Sequence, residues 1–290
     1  MAVTITADQV KKLRDQTGAG MMECKAALTE ASGDFEEANT ILRKRGLASA
    51  AKKAGRATSE GLIGRSLSAD ASSGTLVEVN CESDFVARTD DFQQLVKNVL
   101  AEIEQAGSGA TEAWLKDPNG PVQKLVAAGI AKLGENMGVP RFVRYTGHGY
   151  IGQYIHMGGK IGVQVEFGGV TPEVRGREEL GTLVKEIAMQ IAAASPSYVS
   201  RESVPSDVLD KERAIYRAQM EHSGKPANVI DKIVEGKLGA FYAQVVLPDQ
   251  PSIREPKTTV KEVLAAAART LGAPITVTRF ARLKVGEGNS

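Results

Sequence analysis

The sequence predicts an α+β protein, and three observations support this prediction. Stretches in which apolar residues alternate with other residues occur twice, at 61–79 and at 149–165, each broken by a glycine-containing turn. A long segment with apolar residues at helical spacing follows each stretch. The 290 residues also exceed the usual size of one domain. We therefore expect a core in which a strand hairpin followed by a helix occurs twice.

The N-terminal residues are predicted to form three short helices, a small bundle similar to ubiquitin-associated domains. Thr6 and Gln9 have capping-box spacing before the first apolar positions. Gly18 to Gly20 interrupt the helical pattern, and Gly33 interrupts it again. Asp34 can cap a third helix. The apolar stripe of that helix consists of Phe35, Ala38, Ile41 and Leu42.

A basic segment follows this bundle. Six Lys and Arg residues and no acidic residue lie between positions 43 and 56. Such a run can be the solvated charge of a linker, or it can attract an acidic partner or RNA. The Ala, Gly and Ser residues between the charges favour the linker. Residues 47–59 are therefore predicted to be a basic linker.

The core is predicted to contain two related halves, because 61–67 followed by 76–79 resembles 149–155 followed by 162–165. The expected units of the whole chain are a three-helix N-terminal domain at 1–46, the linker at 47–59, a first core half at 60–145, a second core half at 146–196 and 241–284, a helical insertion at 197–240, and a tail at 285–290.

The insertion is helical in pattern, with breaks expected at 224–226 and at Gly236. Two arrangements are open for it. It can form the contact of a homodimer, or it can pack only on its own core.

Residues 81–88 place a large apolar ring, Phe85, beside an acid, Asp84, directly after an alternating run. They fall in the connection between a strand and the next helix, where functional residues are common. Two interpretations are open. Phe85 can fold back as a plug over the following helix while Asp84 caps its first turn, or the pair can protrude as a wedge.

Met21 and Met22, together with Lys25, form a second candidate site at the start of the second helix. Methionine side chains can fill the interior of so small a bundle. They can equally offer a deformable contact surface beside a cation.

The sequence contains little that predicts nucleotide binding by this chain. Residues 147–152 formally match G-x-G-x-x-G, but a phosphate-binding version needs a helix after it, and a strand-like run follows here. No G-x-x-x-x-G-K-[ST] sequence occurs. We therefore expect no direct nucleotide and no cofactor.

Metal binding and covalent chemistry are also weakly supported. His148, His156 and His222 are the only histidines, and neither C-x-x-C nor H-E-x-x-H accompanies them, so no metal site is predicted. Cys24 and Cys81 are the only cysteines and give no disulfide framework. A nucleophilic Cys81 would need a histidine base that no local motif supplies.

The charge balance and hydropathy restrict the partners. The chain has 36 basic and 35 acidic residues, which argues against a surface built to bind nucleic acid. No stretch approaches the roughly 20 apolar residues of a membrane span, and the N-terminus lacks a secretory pattern. A cytoplasmic location without a membrane partner is expected.

Two long motifs resemble those of a known family. Residues 13–28, Leu-Arg-Asp-Gln-Thr-Gly-Ala-Gly-Met-Met-Glu-Cys-Lys-Ala-Ala-Leu, closely resemble the N-terminal signature of elongation factor Ts. Residues 78–88, Glu-Val-Asn-Cys-Glu-Ser-Asp-Phe-Val-Ala-Arg, resemble its second signature, with Ser83 where the family usually has Thr. The stretches 187–193 and 279–288 are similar to the family as well, so the resemblance covers nearly the whole chain.

The resemblance implies a guanine-nucleotide exchange factor that binds elongation factor Tu and promotes GDP release during translation elongation, without covalent chemistry of its own. Asp84 and Phe85 would enter a cleft beside the magnesium and phosphate site. Gln190 stands where some relatives carry His, in a region that would brace another domain of the partner. The partner-binding residues implied are Met21, Met22, Lys25, Asp84, Phe85 and Val86.

Two other classes of function are compatible with the residues themselves. One is a non-catalytic adaptor that binds proteins through its N-terminal bundle. The other is an enzyme that uses Cys81 or the glycine run at 147–152.

Overall fold

Helices and two small antiparallel sheets make up the protein, which confirms the predicted α+β class. The structure is a computed structural model that describes residues 4–147, 149–220, 223 and 225–287. Two of the histidines considered above, His148 and His222, and Gly224 of the expected helix break lie outside these residues.

The N-terminal region contains α1 (Ala7–Thr17), α2 (Met21–Glu30) and α3 (Phe35–Lys53). The predicted capping box is present, since the backbone N–H of Gln9 donates to the Thr6 hydroxyl and the Thr6 N–H donates to the Gln9 side chain. The three helices enclose a common apolar cluster formed by Val10, Leu13, Cys24, Ala27, Leu28, Ala31, Ala38 and Ile41.

Helix α3 is longer than the sequence suggested. It continues to Lys53, so the first part of the predicted linker 47–59 is helical. The cause is tertiary packing as well as the helix propensity of its Ala and Lys residues. The second half of α3 lies along α7 (Pro121–Leu133), where Gly46 faces Ala131 and Ala50 packs against the apolar cluster of the first sheet.

The first half of the core contains β1 (Glu60–Leu67), β2 (Ser73–Cys81), α4 (Asp84–Ala87), α5 (Asp90–Ala106), α6 (Glu112–Lys116), α7 and β3 (Met137–Thr146). Its three strands form the first sheet, with the antiparallel order β1-β2-β3. The middle strand is buried on both faces rather than on alternate residues, because helices cover one face and the second sheet covers the other.

The rest of the chain contains β4 (Tyr150–His156), β5 (Ile161–Gly168), α8 (Glu178–Ala194), α9 (Ser206–Ala218), α10 (Ala227–Val245), α11 (Val260–Leu271) and β6 (Thr276–Lys284). Its three strands form the second sheet, with the matching antiparallel order β4-β5-β6. Helices α8 and α11 form one buried cluster with these strands, while α9 and α10 pack on each other.

Helix α10 departs from the sequence prediction in two respects. The expected break at Gly236 is wrong, since this residue lies within the helix. The helix also runs to Val245, so the predicted boundary at 240 falls inside it. Val234 and Leu238 are buried on one face and hold the helix together across its glycines.

The two hairpins share one register. Gly64 lies opposite Val77 in the first, and Gly152 lies opposite Val165 in the second. Both pairs of equivalent residues are 88 positions apart (152 minus 64, and 165 minus 77). The repeat seen in the sequence paired residue 76 of β2 with residue 162 of β5, a spacing of 86 (162 minus 76). That pairing differs by two residues from the spacing of 88 in the structure.

The glycines at these positions allow a helix to lie close to each hairpin. A Cβ atom on Gly64 would overlap Val96 of α5, and one on Gly152 would overlap Val184 of α8. The two valines are again 88 positions apart (184 minus 96).

Candidate protein-binding site

The segment after β2 forms a short helix, α4, rather than an irregular connection. Ser83 caps it, because its hydroxyl accepts a hydrogen bond from the N–H of Val86 at 3.3 Å. Thr89 caps the following helix α5 in the same way. In the plug interpretation Asp84 caps the helix that follows. That part of the interpretation is wrong, because Ser83 caps α4 and Thr89 caps α5.

The side chains of α4 point in opposite directions. Phe85 is 80% exposed, whereas Ala87 is buried and Val86 packs against the apolar cluster of the first sheet. Phe85 does not cover the following helix, and the plug interpretation is wrong. Residues 84–87, called the Phe85 tip below, present an aromatic ring to solvent on a helix that is attached by its opposite side.

Asp84 contributes a negative charge beside this ring. Its carboxylate accepts a hydrogen bond from the Arg88 guanidinium at 2.7 Å, one helical turn away. Both side chains are substantially exposed, so the ion pair contributes little to stability. The carboxylate remains accessible to another molecule.

The base of the tip is held by a residue that the sequence reasoning missed. Glu135, between α7 and β3, accepts hydrogen bonds from the N–H groups of Glu82 and Ser83 at 3.1 and 2.9 Å. The Ser83 hydroxyl donates to the other carboxylate oxygen. A separation of 52 residues between Ser83 and Glu135 left no local pattern that could have indicated this contact.

The second candidate site lies on one face of α2. Met21 is 60% and Met22 75% exposed, and Lys25 is exposed one turn later on the same face. Cys24 and Leu28, on the adjoining side of the helix, are buried in the bundle interior. The alternative in which the methionines fill the bundle is therefore wrong. We call Met21, Met22 and Lys25 the α2 face.

A chain of contacts connects the α2 face with the region of the Phe85 tip. Gly18, in the loop before α2, lies against Lys132, since a Cβ atom at Gly18 would be 3.3 Å from the Lys132 Cδ. The Lys132 ammonium in turn pairs with Asp91 at 2.7 Å, in the first turn of α5. The loop before α2 therefore lies beside the start of the helix that follows the tip.

The region around 151–165 and Gln190 is mostly interior. Ile151, Val163 and Val165 are buried, and the exposed apolar side chain of this hairpin is Met157 at its turn. Gln190 is also buried, and it accepts a hydrogen bond from the N–H of Ile253 at 2.8 Å. Its observed contacts support the neighbouring loop.

The chemistry available at the cysteines is limited. Both are buried and unpaired with each other. Burial raises the pKa of the Cys81 thiol from 9.0 to about 12, and the nearby Glu135 carboxylate adds to this effect. The side chain is a protonated thiol at neutral pH, which is a poor nucleophile.

The described residues of the glycine run continue into a strand, and the described histidine, His156, lies at the surface. Residues 149–152 lead into strand β4, which is not the helix that a phosphate-binding loop requires. His156 is exposed and its Nδ1 lies 2.9 Å from the hydroxyl of Tyr154. Within the described ranges, no group of three or more His, Cys, Asp or Glu side chains is placed to bind a metal ion.

No helix in the described part of the chain combines the length and apolar character needed to cross a membrane.

Fold and exposed side chains together define a class of protein: an α+β protein with two three-stranded sheets and exposed apolar side chains on α2 and α4. A family model described as elongation factor TS matches residues 82–287. The chain belongs to the elongation factor Ts family, which comprises elongation factors of protein biosynthesis.

Individual relatives support this assignment over nearly the full length. Elongation factor Ts of Trichlorobacter lovleyi is 44% identical, with 99% of this chain and 94% of that protein aligned. Elongation factor Ts of Aquifex aeolicus is 43% identical, with 99% of each aligned. Elongation factor Ts of Clostridium acetobutylicum is 43% identical over 98% of this chain and 93% of that protein.

Proposed function

We propose that this protein is a guanine-nucleotide exchange factor that binds elongation factor Tu and promotes GDP release during translation elongation. Membership of the elongation factor Ts family supports the proposal. The observation that carries it is the Phe85 ring, 80% exposed at the end of a segment with a hydrogen-bonded base. An exposed aromatic residue on a well-held element is suited to enter a cleft of another protein.

In the proposed mechanism, Asp84 and Phe85 enter elongation factor Tu near its magnesium and phosphate site and loosen GDP. The GTPase performs the nucleotide chemistry, and this chain supplies shape and charge. Linkage then requires reciprocity: a factor that weakens nucleotide binding is itself bound less tightly when nucleotide is present, by the same ratio. Incoming nucleotide therefore displaces the factor and completes the cycle.

The α2 face is proposed to hold the GTPase domain. Methionine side chains adapt to an apolar surface, and Lys25 adds a positive charge beside them. The contacts between Gly18, Lys132 and Asp91 support simultaneous engagement, because they keep the loop before α2 next to the start of α5. Val86, within the tip, packs against the apolar cluster of the first sheet and attaches α4 to the core.

The organisation proposed for this activity is a docking domain followed by a core of two related halves. The shared register of the hairpins and the equivalent glycines support the relation between the halves. The division is 1–46, a connection at 47–59 that begins with the end of α3, then 60–145, and 146–196 with 241–284. The helical insertion follows 196, and its last helix extends to Val245.

The exchange reaction can be tested by stopped-flow release of fluorescent GDP from elongation factor Tu, with and without this protein. We expect faster release with the protein. An adaptor acting through the N-terminal bundle would bind without accelerating release. Calorimetry of the isolated chain with GDP or GTP is the control, and stoichiometric nucleotide binding there would contradict the proposal.

A further inference from the structure

Glu135 is not among the residues that the resemblance implies, yet its carboxylate controls the base of the Phe85 tip. One oxygen accepts hydrogen bonds from the N–H groups of Glu82 and Ser83, and the other accepts a hydrogen bond from the Ser83 hydroxyl. We call these three hydrogen bonds the Glu135 clamp. They fix the backbone immediately before α4, since two successive N–H groups point to one oxygen atom.

The neighbouring residue forms a second connection. The N–H of Asn136 donates to the Glu82 carboxylate at 2.6 Å, and its side-chain amide donates to the backbone oxygen of Arg56 at 2.7 Å. Residues 135–136 therefore join the end of the linker to the base of the tip. The three segments are far apart in the sequence.

Ser83 connects the Glu135 clamp to the short helix that carries the Phe85 ring. While its hydroxyl donates to Glu135, the same oxygen accepts the N–H of Val86 and so caps α4. Its backbone oxygen accepts hydrogen bonds from the Cys81 thiol and from the N–H of Ala87. Both ends of the short helix are thereby tied to Ser83, and the direction of Phe85 follows from the position of that residue.

The second half of the core offers an internal comparison. At the spacing of 88 residues, Phe85 corresponds to Glu173 and Ser83 to Thr171 (173 minus 85, and 171 minus 83). In the described part of the chain, no side chain of another element donates to or accepts from the backbone of residues 170–171. The Glu135 clamp therefore occurs in the first half of the core, which has the exposed Phe85 ring.

We propose that Glu135 is a positioning residue for nucleotide exchange: it holds the Phe85 tip in the orientation that enters the partner before binding occurs. The inference rests on the proposed exchange function. Its physical basis is pre-organisation, because a tip that is already ordered loses less conformational freedom when it binds. A tip without the clamp samples other orientations and enters the cleft less often.

The test uses the full-length Glu135→Gln variant. Glutamine preserves the size of the side chain but has one acceptor oxygen. If that oxygen keeps the two backbone N–H groups, the NH2 group faces the Ser83 hydroxyl, which then has no acceptor for its proton. We expect faster amide hydrogen exchange in residues 82–88 and a melting temperature within a few degrees of wild type. GDP release from elongation factor Tu should slow by about tenfold to hundredfold, the scale associated with displaced functional groups.

Three further variants make the result specific. Glu102→Gln is the matched control: it is the same chemical change on α5, where Glu102 has no side-chain hydrogen bond to a described residue. Ser83→Thr keeps the hydroxyl and should behave as wild type. Ser83→Ala removes one bond of the clamp and the α4 cap, and should slow release even if Glu135→Gln fails to fold.

Each outcome bears on a different statement. If wild type does not accelerate GDP release, the proposed function fails and the positioning role fails with it. If wild type is active and Glu135→Gln loosens residues 82–88 without slowing release, the positioning role alone is wrong. Slower release with unchanged exchange in residues 82–88 would also overturn it, because the tip would not have been loosened.

Discussion

At the scale of single residues, exposure separates side chains that stabilise this protein from those available to a partner. Two phenylalanines, seven positions apart, show the contrast: Phe92 is fully buried under the first sheet, while Phe85 is 80% exposed. The equivalent of Phe85 in the second half is Glu173. The connection between strand and helix thus folds without an aromatic residue, and Phe85 is not required by the architecture.

We predict that Phe85→Ala slows GDP release from elongation factor Tu while leaving thermal stability nearly unchanged. An interfacial anchor loses on the order of 2 kcal/mol of binding free energy when truncated. Asp84→Ala should give a similar defect. Stopped-flow release and thermal melts measure the two quantities separately.

Phe92→Ala is the matched control for this prediction. The loss of a buried phenylalanine side chain destabilises a protein by about 3 to 5 kcal/mol. The wedge role would be wrong if Phe85→Ala lowered the melting temperature as much as Phe92→Ala does.

We predict that Cys81 in the native protein is alkylated by iodoacetamide at pH 8 at least about tenfold more slowly than in the urea-unfolded chain, because the thiolate is the reactive form. Its folded pKa is raised by burial to about 12, from 9.0. Peptide mass spectrometry distinguishes Cys81 from Cys24. Equal rates in the two states would contradict the prediction.

The same pKa shift predicts a pH dependence of stability. The unfolded thiol loses its proton near 9.0, while the folded thiol retains it up to about 12. The contribution of this group is therefore fully present below 9.0 and is lost as pH rises toward 12. Cys81→Ala should lose less stability than wild type over that interval in urea titrations.

At the scale of elements, α2 shows how one short helix serves both the interior and the surface. Cys24, Ala27 and Leu28 lie in the bundle, while the methionines of the α2 face are exposed. The long helix α3 then connects the bundle to the core by packing along α7. Removal of the whole bundle would disturb that packing, so point substitutions on α2 are the sharper test.

We predict that the Met21→Ala and Met22→Ala double variant binds elongation factor Tu more weakly but reaches the same maximal GDP release rate at saturation. The change removes contact surface and leaves the Phe85 tip unaltered. Alanine also has the higher helix propensity, so α2 should persist. A titration of release rate against factor concentration separates affinity from maximal rate.

Leu28→Ala is the contrasting variant, because this fully buried residue supports the bundle itself and its loss destabilises by about 2 to 5 kcal/mol. An unchanged half-saturating concentration for the double methionine variant would contradict the docking role.

The hairpin of α9 and α10 carries the predicted homodimer contact, which stays a prediction. Ile215 is 49% and Val229 37% exposed on the two helices. If they meet a second copy, Ile215→Lys with Val229→Lys should convert a dimer to a monomer in sedimentation velocity. Identical sedimentation of wild type and variant would favour a hairpin that packs only on its own core.

At the scale of the whole molecule, a buried carboxylate joins the first sheet to the C-terminal segment. Glu78 on β2 accepts from Arg141 at 2.7 Å, from Asn80 at 3.0 Å and from the N–H of Gly286 at 2.8 Å. Ile63 and Leu76 of the first sheet also form an apolar contact with Leu283 of the second sheet. The three hydrogen bonds compensate for the hydration that the fully buried Glu78 carboxylate loses.

We predict that a chain ending at Lys284 is less stable than one ending at Glu287. The shorter chain lacks the Gly286 N–H that donates to Glu78, and a hydrogen bond to a charged group contributes about 1.5 to 3 kcal/mol. It also lacks the Val285 N–H that donates to the Lys160 backbone oxygen and the ion pair between Arg282 and Glu287. Urea unfolding followed by circular dichroism measures the difference. The chain ending at Glu287 is the control, and equal midpoints would show that the contact does not stabilise the sheets.

The sequence by itself determined the α+β class, the family, the capping of α1 and α3, and the two hairpins. Each of these depends on residues close together in the chain: a capping box, a glycine turn or a helical stripe. The sequence also identified Phe85 and the α2 face as candidates. It left open whether these apolar side chains were interior or exposed.

Only the tertiary structure decided that question, because burial depends on what packs from elsewhere in the chain. Alternation could not show that β2 is covered on both faces, and local pattern did not predict the third strands, β3 and β6. The length of α3 is set by α7, and the base of the Phe85 tip is held by Glu135, 52 residues after Ser83. Such contacts join residues distant in the chain, and no local spacing encodes them.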